Sequence, residues 1–490
     1  MKKIISLLLT IIMTFCIIAS IPSNASAITT DKAENSLTYT DQYGSWTYEL
    51  TDNKKGYRIT GYDQSMTDIE IPSMIDNLPV LEIGYKTFYN YLNITSITIP
   101  NSVNFIDDYA FANCYYLKEI TLSENITSIG NYTFYNCNQL ADITIPEKVT
   151  SIGNEAFSLC VNLASITLSK NITSIGNSAF YNCSTITSIT LPESVTYIGN
   201  YAFSSCDNLT NIIIPSNVTF IGDSAFAICN NLNNITIPNN VTYIGKKAFS
   251  SCSSLTNITI PNSITSINER TFSSCTSLTS ITLPNSITSI GDYAFAYCNN
   301  LTEITIPDSV KDIGNSTFYN CSALTDITIP DNVTSIGDYA FYYCNSLTNI
   351  KIPDSVKTIG DSAFSNCSSL TNIKIPDNVT SIGTYAFLNC TSLNDVYYSG
   401  NEADWNSISI GKYNDCLTNA TIHFNYGKII AGDISGDGEI AVDDVIYVLK
   451  YVVGNVELTD EQISNADLNG DGELTVLDAI MVQKLILETV

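Results

Sequence analysis

The sequence predicts a β-rich solenoid of stacked 23-residue coils, wound as a right-handed superhelix and followed by a small all-α domain. Three observations predict it. Cysteines stand at 114, 137, 160, 183, 206, 229, 252, 275, 298, 321, 344, 367 and 390, every one at the same step from the last. The same apolar residues recur around every one of them. Behind the last, two acidic, glycine-bearing segments open at Asp433 and Asp467, and each runs into an apolar-periodic stretch.

The N-terminus sets the compartment. Lys2 and Lys3 precede an apolar run from Ile4 to Ile21, and Ala25-Ser26-Ala27 supplies a small-x-small cleavage pattern. Residues 1–27 therefore read as a secretory signal peptide cut after Ala27. No later segment is long and apolar enough to span a bilayer, so the mature chain is expected to be exported without a membrane span.

Removing Lys2 and Lys3 leaves 19 basic against 48 acidic residues, a net of −29. That field repels phosphate backbones and anionic membrane surfaces, so nucleic acid is excluded as a partner. Residues 431–490 concentrate the charge, with thirteen acids and two lysines. A module that acidic either repels itself or holds cations. The single histidine, His423, leaves nothing from which to assemble a His-dependent catalytic site.

Residues 28–68 are expected to form an N-terminal β cap. Trp46, Tyr48, Tyr57 and Ile59 alternate as in a two-stranded ribbon, and a bare solenoid end would expose core and strand edges. The repeat follows over 69–395. One unit reads Phe318, Cys321, Leu324, Ile327, Ile329, Pro330, Val333, Ile336, Gly337, with Phe341 opening the next. Ile-x-Ile is a short strand with one buried face. Proline ends it where no further ladder N–H is needed. Val-x-x-Ile and Phe-x-x-Cys-x-x-Leu are expected to turn the chain back, and the glycine to supply a turn. One unit cannot bury its own apolar residues, but stacked units build a continuous core. Some fourteen coils at about 4.8 Å give a body roughly 65–70 Å long. Residues 396–427, with Val396, Tyr397, Tyr398 and Trp405, read as the closing cap.

This unit resembles the leucine-rich repeats of the BspA-type bacterial surface proteins, over roughly residues 60–425. The cysteines form a row, one per coil, and Tyr91 takes the same place one step earlier. They read as free, small, buried apolar groups rather than disulfides. The exposed strand position is threonine from Thr98 to Thr328, except Ile213, and becomes Lys351 and Lys374. Tyr89, Tyr135, Tyr181, Tyr319 and Tyr342 recur two residues before the cysteine. Either row is a candidate surface for a protein or glycan ligand, or merely a soluble face of good β-formers.

Residues 428–490 form the last domain. Its two segments fit a twelve-residue calcium loop, because a hard dication takes six to eight oxygens from alternate positions around a glycine turn. The first supplies Asp433, Ser435, Asp437, the backbone carbonyl of Glu439, and Asp444; the second supplies Asp467, Asn469, Asp471, the carbonyl of Glu473, and Asp478. Two Ca²⁺ ions are expected. Each loop runs into one helix, through Val445, Ile446, Val448, Leu449 and Val452, and through Ala479, Ile480, Val482, Leu485 and Ile486. No entering helix is expected before either loop, since Ala431-Gly432 and Ser464-Asn465 stand there.

A duplicated loop–helix of this kind is similar to a type I dockerin. That resemblance implies calcium-dependent folding and docking to a cohesin on a scaffoldin, as in a cellulosome. The residues at its recognition positions are Val442, Asp443, Lys450 and Tyr451, then Val476, Leu477, Lys484 and Leu485. Many relatives carry Ser-Thr at the loop pair and this chain does not, which leaves the cohesin type open. Three function classes remain: a secreted binding or adhesion protein on a scaffold, a protease inhibitor or other modulator attached to the complex, and a glycoside hydrolase-associated component. Glu119, Asp142, Glu303 and Asp326 occupy variable exposed positions rather than a paired catalytic site, so no enzyme is expected.

Overall fold

The structure is a computed structural model that describes residues 36–427, 430–436 and 440–488. The chain divides into Met1–Leu37 and Thr38–Val490, and the described residues belong almost wholly to the second unit. The expected signal peptide lies outside them.

Strands Gly44–Leu50 and Tyr57–Tyr62 pair antiparallel, with Tyr48 opposite Ile59. Alternation places Trp46, Tyr48, Tyr57 and Ile59 in the core. Tyr57–Tyr62 then pairs parallel with Leu78–Ile83, which sets Ile59 beside Ile83 and starts the stack. The long first unit is a hairpin. Met74–Ile75 folds back on Leu78–Ile83 across Asp76 and Asn77, both at positive φ (46° and 67°), the geometry that two-residue hairpins require.

From there the coils stack in register. In the first parallel sheet Ile189, Ile212 and Ile235 are neighbours, one repeat apart. The buried phenylalanines stack from Phe88 to Phe387 with ring centroids 5.1–5.7 Å apart. One core runs without interruption from Trp46 to Leu417.

Two expectations about the turns are corrected. The Val-x-x-Ile segment is not merely a return. Its last two residues, such as Ser174–Ile175, Tyr197–Ile198 and Phe220–Ile221, form a second parallel sheet. The following glycine does not supply a left-handed turn either. None of the coil glycines has positive φ; in the coil of Gly176 the left-handed residues are Ser178 and Asn182. Glycine is required there by close approach. A Cβ on Gly176 would lie 2.6 Å from the carbonyl carbon of Gly153 and 2.7 Å from the amide nitrogen of Asn154.

The last coil is longer than the others, and its strand Thr421–His423 still pairs with Asp395–Tyr398. The insertion carries the helix Glu402–Ser407, whose Trp405 packs edge-on against Tyr398 at 5.2 Å. Asn414 then seals the phenylalanine ladder. Its Oδ1 accepts the Phe387 amide at 2.9 Å, and its Nδ2 donates to the carbonyls of Gly383 and Gly411.

The C-terminal module holds the helices Val442–Val452, Asp460–Ala466 and Val476–Glu488. Its small core is Ile434, Val448, Ala466, Ala479 and Val482. The second loop does have an entering helix, contrary to expectation. Thr459 caps it by accepting the Gln462 amide, while the Gln462 side chain accepts the Thr459 amide, and the helix ends at Ala466, directly before Asp467.

Candidate functional site

In the first loop the described ligand candidates are tightly bonded to the backbone. Asp433 Oδ1 accepts the Gly436 amide at 2.7 Å and the Ser435 hydroxyl at 3.2 Å. Asp444 is buried at the start of its helix. Its Oδ1 accepts the amides of Ile434 and Ser435, and its Oδ2 accepts that of Ala441, all at 2.8 Å. Burial pushes this carboxyl up, against the pull of those three amides. Asp437 and Glu439 lie outside the described residues.

The second loop is described throughout. Gly470 and Gly472 take the left-handed backbone at φ 71° and 84°, which brings successive amides inward. Asp467 collects the amides of Gly470, Asp471 and Gly472 at 2.8–3.2 Å. Asn469 donates to Asp471 Oδ2 at 2.8 Å, and Asp471 Oδ1 accepts the Glu473 amide at 2.9 Å. Asp478 is fully buried; its Oδ2 accepts from the amide and hydroxyl of Thr475. Its Oδ1 is buried with no hydrogen-bond partner among the described residues. A buried carboxylate oxygen left in that state is costly, and a hard cation is the partner its chemistry asks for. The all-oxygen donor set of the loop fits such an ion. Among the described residues no three His, Cys, Asp or Glu side chains converge on one point, because Asp467 and Asp471 are drawn onto the loop's own amides.

The recognition positions are divided by burial. Val442, Asp443, Lys450, Val476, Leu477 and Lys484 are exposed, whereas Tyr451 and Leu485 are half-buried. A Cβ on Gly432 would meet Leu485 Cδ1 at 3.2 Å, which places that leucine against the start of the module. Ile446, Leu449, Val453 and Ile480 are also exposed. Val442, Ile446, Leu449 and Val453 make an outer apolar stripe at helical spacing, a signal legible in the sequence once the buried Val448 is fixed.

On the array, every cysteine of the row is free and buried. The thiols are more than apolar filler. Each donates to the carbonyl of the phenylalanine 26 residues earlier, at 3.1–3.2 Å. A second ladder escaped the sequence reading. Asp108, Asn131, Asn154, Asn177, Asn200 and Asp223 each accept the amide of the next member 23 residues on, at 2.6–2.8 Å. Its signal is the Asn or Asp that follows most coil glycines.

A capped array of parallel coils followed by a duplicated oxygen-rich loop–helix defines a two-part solenoid protein. Comparison with known proteins makes this specific. The family model for the BspA type leucine rich repeat region matches residues 81–210, 196–325 and 311–430, in six copies. The chain belongs to the BspA-type leucine-rich-repeat family. The dockerin type I domain, a calcium-binding module whose partner is a cohesin, matches residues 431–487. Neither family is enzymatic.

A leucine-rich-repeat protein of Bacteroides ovatus is 31% identical, with a TM-score of 0.69, over 77% of this chain and 98% of that one. A leucine-rich cell-surface protein of Faecalibacterium prausnitzii is also 31% identical, with a TM-score of 0.47, over 76% of this chain and 97% of the other. No curated protein matches the chain. Among the described residues no helix is long and apolar enough to cross a membrane.

Proposed function

We propose that this is a secreted, non-catalytic binding or adhesion protein. Its dockerin anchors it to a cohesin-bearing scaffoldin in a polysaccharide-degrading complex, and its solenoid, residues 69–395 between caps 28–68 and 396–427, presents the ligand-binding surface. The signal-peptide pattern of residues 1–27 supports export.

Two calcium ions organise residues 428–490. Asp433, Ser435, Asp437, Asp444 and the Glu439 carbonyl hold one; Asp467, Asn469, Asp471, Asp478 and the Glu473 carbonyl hold the other. Calcium supplies charge and coordination, and these residues fix its place beside the helices. The observation that carries this reading is the buried, unpartnered Oδ1 of Asp478 at the twelfth position of an all-oxygen loop. The exposed apolar residues Val442, Val476 and Leu477, flanked by Asp443, Lys450 and Lys484, support a protein-docking face, since interface centres are apolar and their rims charged. Tyr451 and Leu485, both half-buried, complete the recognition set.

The test substitutes Asp433, Asp437, Asp467 and Asp471 together by alanine. The variant should lose binding to a cohesin panel and keep the folded array. A quadruple variant that binds cohesins as the parent does, or a calcium-loaded parent that binds none, would overturn the anchoring reading.

A further inference from the structure

The outward column of the first sheet changes character at its C-terminal end. Thr328 is followed, strand by strand, by Lys351, Lys374, Tyr397 and His423. Lys351 and Lys374 are bridge partners on adjacent parallel strands. Like charges facing each other across strands destabilise a sheet, and threonine, used at this position in most other coils, is the better β-former. Strand propensity and cross-strand charge therefore do not account for this pair.

The second outward position on the same two strands is Asn349 and Asn372, whereas its neighbours on either side are Asp326 and Asp395. Neither lysine has a carboxylate at that position of its own segment, and the adjacent Asp395 is engaged by His423, in a chain whose net charge is −27. Among the described residues neither lysine forms an ion pair. Lys374 Nζ lies 4.3 Å from the centre of the Tyr426 ring. Beside the lysines the Tyr397 ring stacks on His423 at 4.8 Å and meets Tyr426 at 4.7 Å. Asp395 fixes the imidazole through a 2.9 Å contact to Nε2. All three rings are half-exposed.

We propose that this end of the face is a binding site for a carboxylated polysaccharide, a chain of uronate sugars. The two ammonium groups take ring carboxylates, the half-exposed cluster of Tyr397, His423 and Tyr426 offers ring surface to the C–H groups of a sugar, and Asn349 and Asn372 offer amides to its hydroxyls. An oligomer of acidic side chains alone would satisfy the lysines but leave the ring cluster and the amide pair unused. The proposal rests on the reading of the solenoid as the ligand-binding part.

The test measures binding of the intact calcium-loaded protein to three probes by titration calorimetry. They are a galacturonate oligomer too short to gel with calcium, its full methyl ester, and a glutamate oligomer of matched length. The uronate should bind at least about tenfold more tightly than either control, as expected of two cooperating charge contacts on a surface. K351T/K374T, which installs the residue other coils carry and so keeps the fold, should lose that preference, and Tyr397→Thr should weaken binding of the uronate. Equal binding of ester and acid, equal binding of the peptide, or a double variant that binds like the parent would overturn the proposal. Capture of the same samples on cohesin reports the anchoring reading separately. A different ligand found for the array elsewhere would leave the solenoid's binding role standing while this site fell.

Discussion

Cys252 shows how one side chain serves the array twice. It fills a buried slot and donates its S–H to the Phe226 carbonyl at 3.2 Å. Cys252→Ala should cost about 1–2 kcal/mol through the small cavity it leaves. Cys252→Ser, which keeps a donor, should test whether the bond or the volume matters more. The row also predicts alkaline sensitivity. Burial pushes the Cys252 thiol from 9.0 up to about 12, and Cys160, Cys206, Cys298 and Cys344 equally. Between those values the unfolded chain has released its thiol protons and the folded chain holds them. The folded state therefore binds more protons, and stability falls as pH rises above 9. Each thiol contributes a slope of about 1.4 kcal/mol per pH unit. The melting temperature should drop steeply as pH rises through the window between those two values; a flat profile would contradict the buried-thiol account. Gly176 makes the complementary point. Gly176→Ala forces a methyl into the neighbouring backbone and should destabilise by about 1–3 kcal/mol or more. The sequence displayed this glycine plainly, but it could not tell a residue needed for left-handed φ from one needed for close approach. Only the distance to Gly153 decides that.

Among the elements, legibility follows length. Ile-x-Ile with flanking threonine shows two-residue alternation, so the first sheet was readable. The second sheet is built from pairs such as Ser174–Ile175, too short to display any period. The helix Asp460–Ala466 was missed for a related reason. Its polar residues hide a face of only Ile463 and Ala466, and its one clear mark is the capping pair Thr459 and Gln462. The two calcium loops were readable because a hard ion dictates oxygen donors at alternate positions, but Asp444 and Asp478 differ in ways that the motif conceals. Asp444 accepts three amides, whereas Asp478 keeps one oxygen unpartnered among the described residues. Asp478→Asn should therefore weaken calcium binding at the second loop by at least about tenfold, since a charged ligand becomes neutral at a buried position. Calcium titration followed by helical circular dichroism would show it. An unchanged midpoint would remove Asp478 from the ligand set.

The whole molecule joins parts of very different self-sufficiency. The array has one core along its length, while the module of about sixty residues closes, among the described residues, on five fully buried apolar side chains. Chelation should flatten the module's helical signal and leave the array's melting transition in place. A module that stays helical in excess chelator would contradict this. The column from Lys351 to His423 also belongs to this scale. His423 sits beside Tyr397 only because the closing coil absorbs an insertion, so the fixed step of the repeat, laid along the sequence, misses it. The calcium-loaded end is proposed to anchor the chain. Light scattering after size exclusion tests it most directly, with the intact protein mixed with a purified type I cohesin. A complex heavier than either component is expected in calcium, and it should separate into its parts when calcium is chelated. Two free components in calcium, across a panel of cohesins, would contradict it.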